Sequence, residues 1–257
     1  MYEIDLKGKT GIIFGVANEH SIAWPIAEIL SNAGARLAIT YQNERFQDRV
    51  SKLSQTMENP VLIECDVSND ESIVNSFETV KKELGTLDFV IHSVAYANRD
   101  DLKGAFSKTS RESFLMSLDI SAYSLIPMVR YAAPLIRPEG SIIAMTFQAS
   151  EKVFPGYNVM GTAKAALENA VRQLAQEYGP DNIRINAISA GPLETLASRG
   201  IHGFSDMRRI HAEKAPLKRN ITHLEVAKTA LFLVSNLSTG ITGTIVPVDA
   251  GYHIMGI

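Results

Sequence analysis

The stretch TGIIFGVANEHSIAWPIAEILSNAG, residues 10–34, decides the fold. Its first part, TGIIFG at 10–15, is an apolar run of strand length, as expected for a parallel strand buried on both faces. Its second part, SIAWPIAEILSNAG, has apolar residues at helical spacing. A buried strand that turns directly into an amphipathic helix is the repeating unit of α/β proteins with parallel sheets.

The same alternation continues along the chain. Further strand candidates are RLAITY (36–41), VLIEC (61–65), LDFVIHS (87–93), SIIAMTF (141–147), IRINAIS (183–189) and TIVPVD (244–249). Helical patterns lie between them at 43–55, 70–85, 114–136 and 157–179. Seven strand signals with helices between them predict a single-domain, doubly wound, Rossmann-type α/β fold over 1–257, with a seven-stranded parallel sheet and helices on both faces.

One irregular segment follows the sixth strand, GPLETLASRGIHGFSDMRRIHAEKAPLKRN at about 191–220. Ligands of doubly wound sheets bind at the carboxyl ends of the strands. The position of this segment therefore predicts a substrate-binding lid.

Composition narrows the class of protein. With 46% hydrophobic and 21% charged residues and a formal charge of −3, the chain is typical of a globular protein and unsuited to neutralising nucleic-acid phosphates. A single cysteine, Cys65, excludes a disulfide framework and a multi-cysteine metal site, and suits a reducing cytosol. The charged start MYEIDLKGKTG and the lack of any run of about 18 apolar residues predict a cytoplasmic protein without a signal peptide or membrane span.

The turn after the first strand is the candidate nucleotide site. Gly15 can supply a tight turn, and Ser21 is a suitable N-cap whose hydroxyl can also meet a phosphate, with Ile22 and Ala23 opening the helix. Only Gly15 of the glycine-rich dinucleotide fingerprint is present. The turn alone therefore leaves a nucleotide site and an ordinary strand–helix connection equally open.

The tips of the next strands carry polar side chains. Gln42 follows the second strand, where an acid would accept the ribose 2′-OH of NAD, and Arg45 nearby is either a partner for the NADP phosphate or a surface charge. On balance this tip favours NADH. Asp66 can accept the adenine amino group beside Val67, or simply cap the turn before the next helix. His92 is interpreted as a hydrogen-bonded strand histidine rather than a base.

Tyr157 and Lys164 lie seven residues apart in a predicted helix. That spacing is about two turns, so both side chains are expected on one face. A nearby ammonium is expected to lower the pKa of the phenol, and such a tyrosine can donate a hydrogen bond to a carbonyl oxygen that gains negative charge. Because this spacing also occurs by chance on many helices, a purely structural role stays open at this point.

Five short motifs follow one another in order: Gly15 with Ser21–Ala23, Asp66–Val67, Tyr157 with Lys164, SAGP at 189–192 and VDAG at 248–251. This order resembles the short-chain dehydrogenase/reductase superfamily. Most members have three residues between tyrosine and lysine, which would place the tyrosine at Met160. The six-residue gap, YNVMGTAKAALE (157–168) and INAISAGPLETLA (185–197) resemble the bacterial enoyl-acyl-carrier-protein reductases that use NADH in fatty-acid synthesis.

The resemblance implies roles for individual residues. Tyr157 would bond the thioester carbonyl and stabilise the enolate, Lys164 would hold the nicotinamide ribose, and Ala97 would contact the acyl substrate together with Tyr157. The implied NADH site is lined by Gly15, Ser21, Ile22, Gln42, Asp66, Val67, Val94, Lys164, Leu193, Glu194, Thr195, Leu196 and Ala197. The implied reaction passes hydride from nicotinamide to the β-carbon of a trans-2-enoyl thioester on an acyl carrier protein, in a homotetramer.

The chain departs from the family pattern in three places. Phe147 stands where most relatives have a second tyrosine, although a mycobacterial branch also resembles this pattern with phenylalanine, so we interpret it as an apolar wall. Glu194 replaces a basic residue. In the predicted lid, Ser205 and Asp206 occupy positions that are often basic. The cations that follow suit either an acidic carrier protein or an ordinary solvated helix face: Arg208, Arg209, Lys214, Lys218 and Arg219.

Two other classes of function stay open at the level of sequence. One is a short-chain reductase that acts on a ketone or alcohol, against which Met160 and the six-residue gap count. The other is a non-catalytic nucleotide-binding relative, which Phe147 and Glu194 suggest. Metalloprotease and serine-hydrolase chemistry is not indicated, because the sequence contains neither HExxH nor GxSxG.

Overall fold

The apolar runs form one parallel sheet in this computed structural model, which describes residues 4–256 apart from the side chain of Arg199. The strand order is β3-β2-β1-β4-β5-β6-β7, and all six neighbouring pairs are parallel. The strands are β1 Thr10–Phe14, β2 Arg36–Tyr41, β3 Val61–Glu64, β4 Leu87–His92, β5 Ile136–Thr146, β6 Arg184–Ala190 and β7 Ile245–Val248. The predicted fold class is confirmed.

Eight α-helices connect or flank these strands within the described residues. They are α1 Ala23–Asn32, α2 Glu44–Ser54, α3 Asp70–Glu83, α4 Arg111–Leu118, α5 Leu125–Ala132, α6 Val159–Tyr178, α7 Phe204–Lys214 and α8 His223–Val234. The long helix predicted over 114–136 is present in helical form but not as one α-helix, because a π-helical segment, Asp119–Tyr123, separates α4 from α5. Helix α8 was not predicted, although Thr222 and Glu225 form a capping box at its start.

Side chains alternate between two hydrophobic cores, one on each face of the sheet. In β1, Ile13 packs with Trp24 and Leu30 of α1, whereas Ile12 and Phe14 pack with the helices on the opposite face. Successive strand residues point to opposite faces, so an almost wholly apolar strand must be covered on both sides. This double burial explains why the strands are continuous apolar runs.

The chain reverses direction across the sheet at β1. The first three strands build outward on one side of β1, and β4 then pairs with its other side. The connections after β1 and β4 therefore leave in opposite directions, which opens a crevice at the carboxyl ends of these two strands.

Candidate active site

A cleft of about 630 Å³ occupies this crevice. It is lined by every predicted site residue except Glu194, namely Gly15, Ser21, Ile22, Gln42, Asp66, Val67, Val94, Ala97, Tyr157, Lys164, Leu193, Thr195, Leu196 and Ala197. These residues come from the segments after four strands, β1 to β4, from the beginning of α6 and the turn before it, and from the segment after β6. The fold therefore brings together side chains that lie up to 182 positions apart in the sequence, from Gly15 to Ala197.

Gly15 makes the sharp turn at the end of β1. Its φ is +101°, and a Cβ atom added there would lie 2.0 Å from the Ser93 carbonyl oxygen. Only glycine permits both that backbone conformation and so close an approach of the neighbouring strand. The bare backbone at this point forms the floor of the cleft.

Ser21 does not cap α1, which corrects the prediction. Its hydroxyl oxygen accepts hydrogen bonds from the backbone N–H groups of Ala17, at 3.0 Å, and Asn18, at 3.1 Å. The cap position is occupied by Ile22, whose side chain cannot accept a hydrogen bond. Ser21 therefore shapes the loop between β1 and α1, while the first N–H groups of the helix lack intrahelical partners.

Asp66 is partly used by its own loop. Its Oδ1 accepts hydrogen bonds from the Ser68 backbone N–H at 3.0 Å and from the Ser68 hydroxyl at 2.8 Å. Asn69, and not Asp66, caps α3. No hydrogen bond to Oδ2 of Asp66 is found in the described residues, so that oxygen can accept one from a ligand in the cleft.

Tyr157 lies in the turn before α6, because the helix begins at Val159 rather than at residue 157 as predicted. Asn158 has a φ of +39°, and its side-chain amide donates to the carbonyl oxygens of Asp101 at 2.8 Å and Gly104 at 2.9 Å. These bonds hold the backbone in a conformation that a helix cannot adopt. The position of the phenol is thus set by tertiary contacts.

Phe147 packs its ring against Tyr157. The two ring centroids are 4.9 Å apart in an edge-to-face arrangement, and Phe154 packs on Phe147 at 4.7 Å. Phe147 lines the cleft, where it provides the apolar wall that the sequence indicated. Its ring immobilises the tyrosine without adding a polar group.

Lys164 is buried on the inner face of α6, with 5% of its surface exposed. Its Nζ donates a hydrogen bond to the Met145 carbonyl oxygen at 2.8 Å. Burial lowers the pKa of Lys164 to about 8, against which the carboxylate of Glu168 acts by raising it. An ammonium has three donors, so two N–H groups are left for a ligand.

The prediction that Lys164 lowers the pKa of the Tyr157 phenol is wrong. Burial raises the pKa of the Tyr157 phenol above its ordinary value, and burial is the only cause of that shift. The ammonium instead faces the end of β5, where it meets the Met145 carbonyl. Tyr157 is therefore a neutral phenol with a proton to donate.

His92 is a buried strand histidine, in line with its interpretation from the sequence. Its Nε2 lies 2.8 Å from the Ser124 hydroxyl oxygen, while its Nδ1 is buried without a partner. Burial lowers the pKa of His92 to about 3, with a smaller contribution from the charge of Lys164. The imidazole is neutral and lies outside the cleft lining.

Glu194 is the one predicted site residue that does not line the cleft. Its carboxylate forms an ion pair with Arg208 of α7, and both line a neighbouring pocket of about 440 Å³. Two other cations of the 191–220 segment are also paired, since Arg209 contacts Glu213 at 3.0 Å and Arg219 contacts Glu225 at 2.7 Å. This pairing favours a solvated helix face over a surface of free positive charge.

Sequence reasoning missed the apolar residues of the cleft. They have no motif, and they come from two loops and three helical segments: Tyr96, Leu102, Ile120, Met160, Ile201, Phe204 and Met207. The last three lie in the 191–220 segment, and large apolar residues in a segment without strand or clear helix periodicity were the available signal. Together they provide an apolar channel beside Tyr157.

Neither a metal centre nor a membrane helix is found in residues 4–256. No group of three or more histidine, cysteine or acidic side chains is placed to hold an ion in this part of the chain. None of its helices is both long and apolar enough to cross a bilayer.

Comparisons with known proteins agree with this geometry. The family model described as enoyl-(acyl carrier protein) reductase matches residues 15–253. The chain is 48% identical over 253 residues to an enoyl-acyl-carrier-protein reductase of Bacillus cereus named as an NADH enzyme, covering 98% of this chain and 99% of that one. It is 47% identical over 252 residues to a Staphylococcus aureus protein named as an NADPH enzyme, covering 97% and 98%.

A solved structure is equally similar. The Bacillus cereus enoyl-acyl-carrier-protein reductase with NADP+ and indole naphthyridinone superposes with a TM-score of 0.96 at 48% identity, and the match covers 100% of both chains. The similarity therefore extends over the whole fold, including the elements that carry the cleft.

Proposed function

Because the chain belongs to the enoyl-acyl-carrier-protein reductase family, we propose that it reduces the trans-2 double bond of enoyl-acyl-carrier-protein thioesters with NADH. This reaction is the last reductive step of each cycle of fatty-acid elongation. The observation that carries the proposal is the position of Tyr157, a neutral phenol against Phe147 in the same cleft as Lys164.

The cleft fits a dinucleotide. At Gly15 a ligand can approach the backbone in the crevice beside β1. At the start of α1 the N–H groups of Ile22 and Ala23 make no hydrogen bond within the described residues, so they can meet a pyrophosphate. Gln42 and Asp66 would hold the adenosine end, and Lys164 the nicotinamide ribose. Leu193, Thr195, Leu196 and Ala197 would close over the nicotinamide and pyrophosphate, whereas Glu194 would act only through Arg208. When bound, NADH supplies the hydride.

Tyr157 would provide the electrophilic stabilisation. As hydride reaches the β-carbon of the substrate, negative charge develops on the thioester carbonyl oxygen. The raised pKa of Tyr157 keeps its proton in place, so the phenol donates a hydrogen bond to the enolate oxygen. A proton then reaches the α-carbon, which completes the reduction.

The remaining walls would select and shield the substrate. Ala97 and Phe147 contact the space beside Tyr157, and Ile201, Phe204 and Met207 add apolar surface from the 191–220 segment. We propose that this segment is the substrate-binding lid. A dry channel of this kind accepts an acyl chain and strengthens the hydrogen bond from Tyr157.

A direct assay tests the function. Loss of NADH absorbance is followed with a crotonyl thioester and, separately, with an acetoacetyl thioester, each with NADH and with NADPH. We expect oxidation of NADH with the enoyl substrate only. Oxidation with the ketone alone would instead indicate a ketone reductase, and binding of NADH without turnover of either substrate would indicate a non-catalytic relative.

The partners follow from the family. We propose that the physiological substrate is carried by an acyl carrier protein and that the enzyme is a cytoplasmic homotetramer. Light scattering after gel filtration measures the assembly, and a mass other than that of four chains would contradict it.

A further inference from the structure

Glu168 is a buried carboxylate that the proposed reaction does not use. It lies on α6, one helical turn after Lys164, and only 3% of its surface is exposed. Its Oε1 accepts a hydrogen bond from the hydroxyl of Thr146 at 2.8 Å. A buried charged group is costly unless it is paired, so its presence beside the cleft requires an explanation.

Two cations flank Glu168 on the same helix. Lys164 precedes it by one turn, and Arg172 follows by one turn with its Nη2 3.8 Å from Oε2. Arg172 is half exposed, whereas Lys164 and Glu168 are both buried. Lys164 and Glu168 are buried neighbours one turn apart that form no direct ion pair among the described residues. The carboxylate therefore acts on the ammonium through the protein interior, where charges are screened less than in the solvent-exposed outer pair.

Two consecutive residues at the end of β5 fix both partners. The Met145 carbonyl accepts from Nζ of Lys164 at 2.8 Å, and the Thr146 hydroxyl donates to Glu168. Thr146 also lines the cleft. The end of β5 thus fixes the Lys164 ammonium and the Glu168 carboxylate at neighbouring positions beside the cleft.

Other ionisable groups lie on the elements around α6. They are Arg111 and Glu112 on α4, Asp119 and Tyr123 on the π-helical segment, Arg130 and Tyr131 on α5, Arg137 and Glu139 on β5, Glu151 and Lys152 after Ser150, Asp181 after α6, and Arg184 on β6. His92 of β4 is neutral and buried. The charge of Glu168 raises the pKa of Lys164 against the effect of burial.

We propose that Glu168 is a positioning residue whose carboxylate, fixed by Thr146, keeps Lys164 protonated and directed towards the ribose of the bound nucleotide. The inference rests on the proposed function, because it assigns the cation a nucleotide to hold. It adds a residue that does not itself touch substrate or cofactor.

The direction of the expected effect follows from the charges. Burial lowers the pKa of Lys164 to about 8, and Glu168 raises it. Lys164 is charged below this pKa, so nucleotide affinity should fall as the pH rises through about 8. Without the carboxylate the pKa of Lys164 decreases further, and affinity should be lost at lower pH.

Glu168→Gln is the informative variant, because it keeps the size of the side chain and an acceptor for Thr146 while removing the charge. NADH binding is measured by fluorescence titration across the pH range, which requires no enoyl substrate. We expect the alkaline loss of affinity to move down by about one pH unit, the lower end of the effect of a nearby charge. At about pH 9 this corresponds to roughly tenfold weaker binding, with no change at about pH 6.

Glu177→Gln is the matched control, since Glu177 is an exposed glutamate on the same helix. It should leave the pH dependence unchanged. An equal loss of NADH affinity at every pH in Glu168→Gln would indicate a merely structural role and overturn the proposal. The proposal would also be overturned if the loss of affinity at high pH occurred at the same pH as in the wild type. If wild-type protein does not bind NADH at all, the proposed function fails instead.

Thr146→Val provides a second test if Glu168→Gln does not fold. Valine has the same shape as threonine but cannot hold the carboxylate in place. The loss of NADH affinity at high pH should again move to lower pH, by a smaller amount than in Glu168→Gln. A folded Thr146→Val protein with the wild-type pH dependence contradicts the role of Thr146 in fixing Glu168.

Discussion

Tyr157 is placed for its proposed task by its neighbours and not by helix geometry. Asn158, with its positive φ and its two side-chain hydrogen bonds, keeps the tyrosine out of α6. Phe147 packs against the ring. The hydroxyl makes no hydrogen bond to the described residues, so the residue is arranged to donate its proton to a ligand.

Removal of this hydroxyl should abolish most of the reductase activity. An oxyanion donor contributes about 3–4 kcal/mol to lowering the barrier, so Tyr157→Phe should reduce kcat by a factor of several hundred. NADH affinity, measured by fluorescence, should remain within about twofold, because the effect belongs to the transition state.

Tyr252→Phe is the control for this substitution. Tyr252 belongs to the same row of aromatic rings, 6.3 Å from Phe154 between centroids, but does not line the cleft. Its kcat should stay at the wild-type value. A Tyr157→Phe protein with normal turnover would show that another group stabilises the enolate.

The hydrogen bond between His92 of β4 and Ser124, which follows the π-helical segment, makes the stability of the fold dependent on pH. The Ser124 hydroxyl donates to the Ile120 carbonyl oxygen at 2.7 Å, so it must accept a hydrogen bond from Nε2 of His92. The tautomer is thereby fixed, and Nδ1 is left unprotonated, buried and without a partner. Protonation of Nδ1 would bury an unpaired positive charge.

His92 should therefore make the protein sensitive to acid. The unfolded chain binds a proton near the ordinary histidine pKa, whereas the folded pKa is lowered to about 3. The stability contributed by the neutral imidazole is complete above about pH 6.5 and decreases as the pH falls towards 3. From pH 7 to pH 5 this loss amounts to about 2 kcal/mol.

Urea unfolding of the wild-type protein and of His92→Gln at these two pH values measures the effect. The variant should lose about 2 kcal/mol less on acidification than the wild type, whatever its stability at neutral pH. His202→Gln, at an exposed position in the proposed lid, should behave as the wild type. Equal losses in all three proteins would exclude His92 as the cause.

The elements were predictable to different extents. All five residues of β1 are buried, and such a strand is visible as an apolar run because both of its faces are covered. The start of β5 was missed by five residues, since Arg137, Pro138 and Glu139 are exposed and do not follow the apolar pattern. The π-helical segment has no local signature, because it retains helical spacing on both sides.

The site was predictable as a set of residues but not in its chemistry. The family resemblance named part of the lining of the cleft, yet it did not show that the Ser21 hydroxyl is used by its own loop. The spacing of Tyr157 and Lys164 also gave the wrong direction for the pKa of Tyr157, because burial is invisible in a spacing pattern. Such properties depend on contacts between segments that are distant in the sequence.

On the scale of the whole molecule, the proposed lid is tied to α8 by the ion pair of Arg219 with Glu225 at 2.7 Å, and further ion pairs lie within the lid itself. The ion pair of Glu194 with Arg208 links the loop between β6 and α7 to α7. The pair of Arg209 with Glu213 lies within α7 itself. Of these two, only the pair of Glu194 with Arg208 can restrain α7 against the loop that precedes it.

Loss of the linking pair should loosen the lid without unfolding the protein. An exposed ion pair contributes less than about 1 kcal/mol, so Glu194→Gln should speed limited proteolysis within 198–218 by about two- to fivefold. Glu213→Gln serves as the control and should be cleaved at the wild-type rate. Equal rates for the wild type and Glu194→Gln would show that apolar packing alone retains the lid.

The order in which the strands enter the sheet also has a consequence for synthesis. The floor of the cleft, from Gly15 to Ala97, is complete in the first part of the chain, but Tyr157, Lys164 and the segment after β6 are added much later. Domains generally fold as units during translation. Because residues from both halves of this chain line the cleft, a nucleotide cannot be enclosed until nearly the whole polypeptide has emerged.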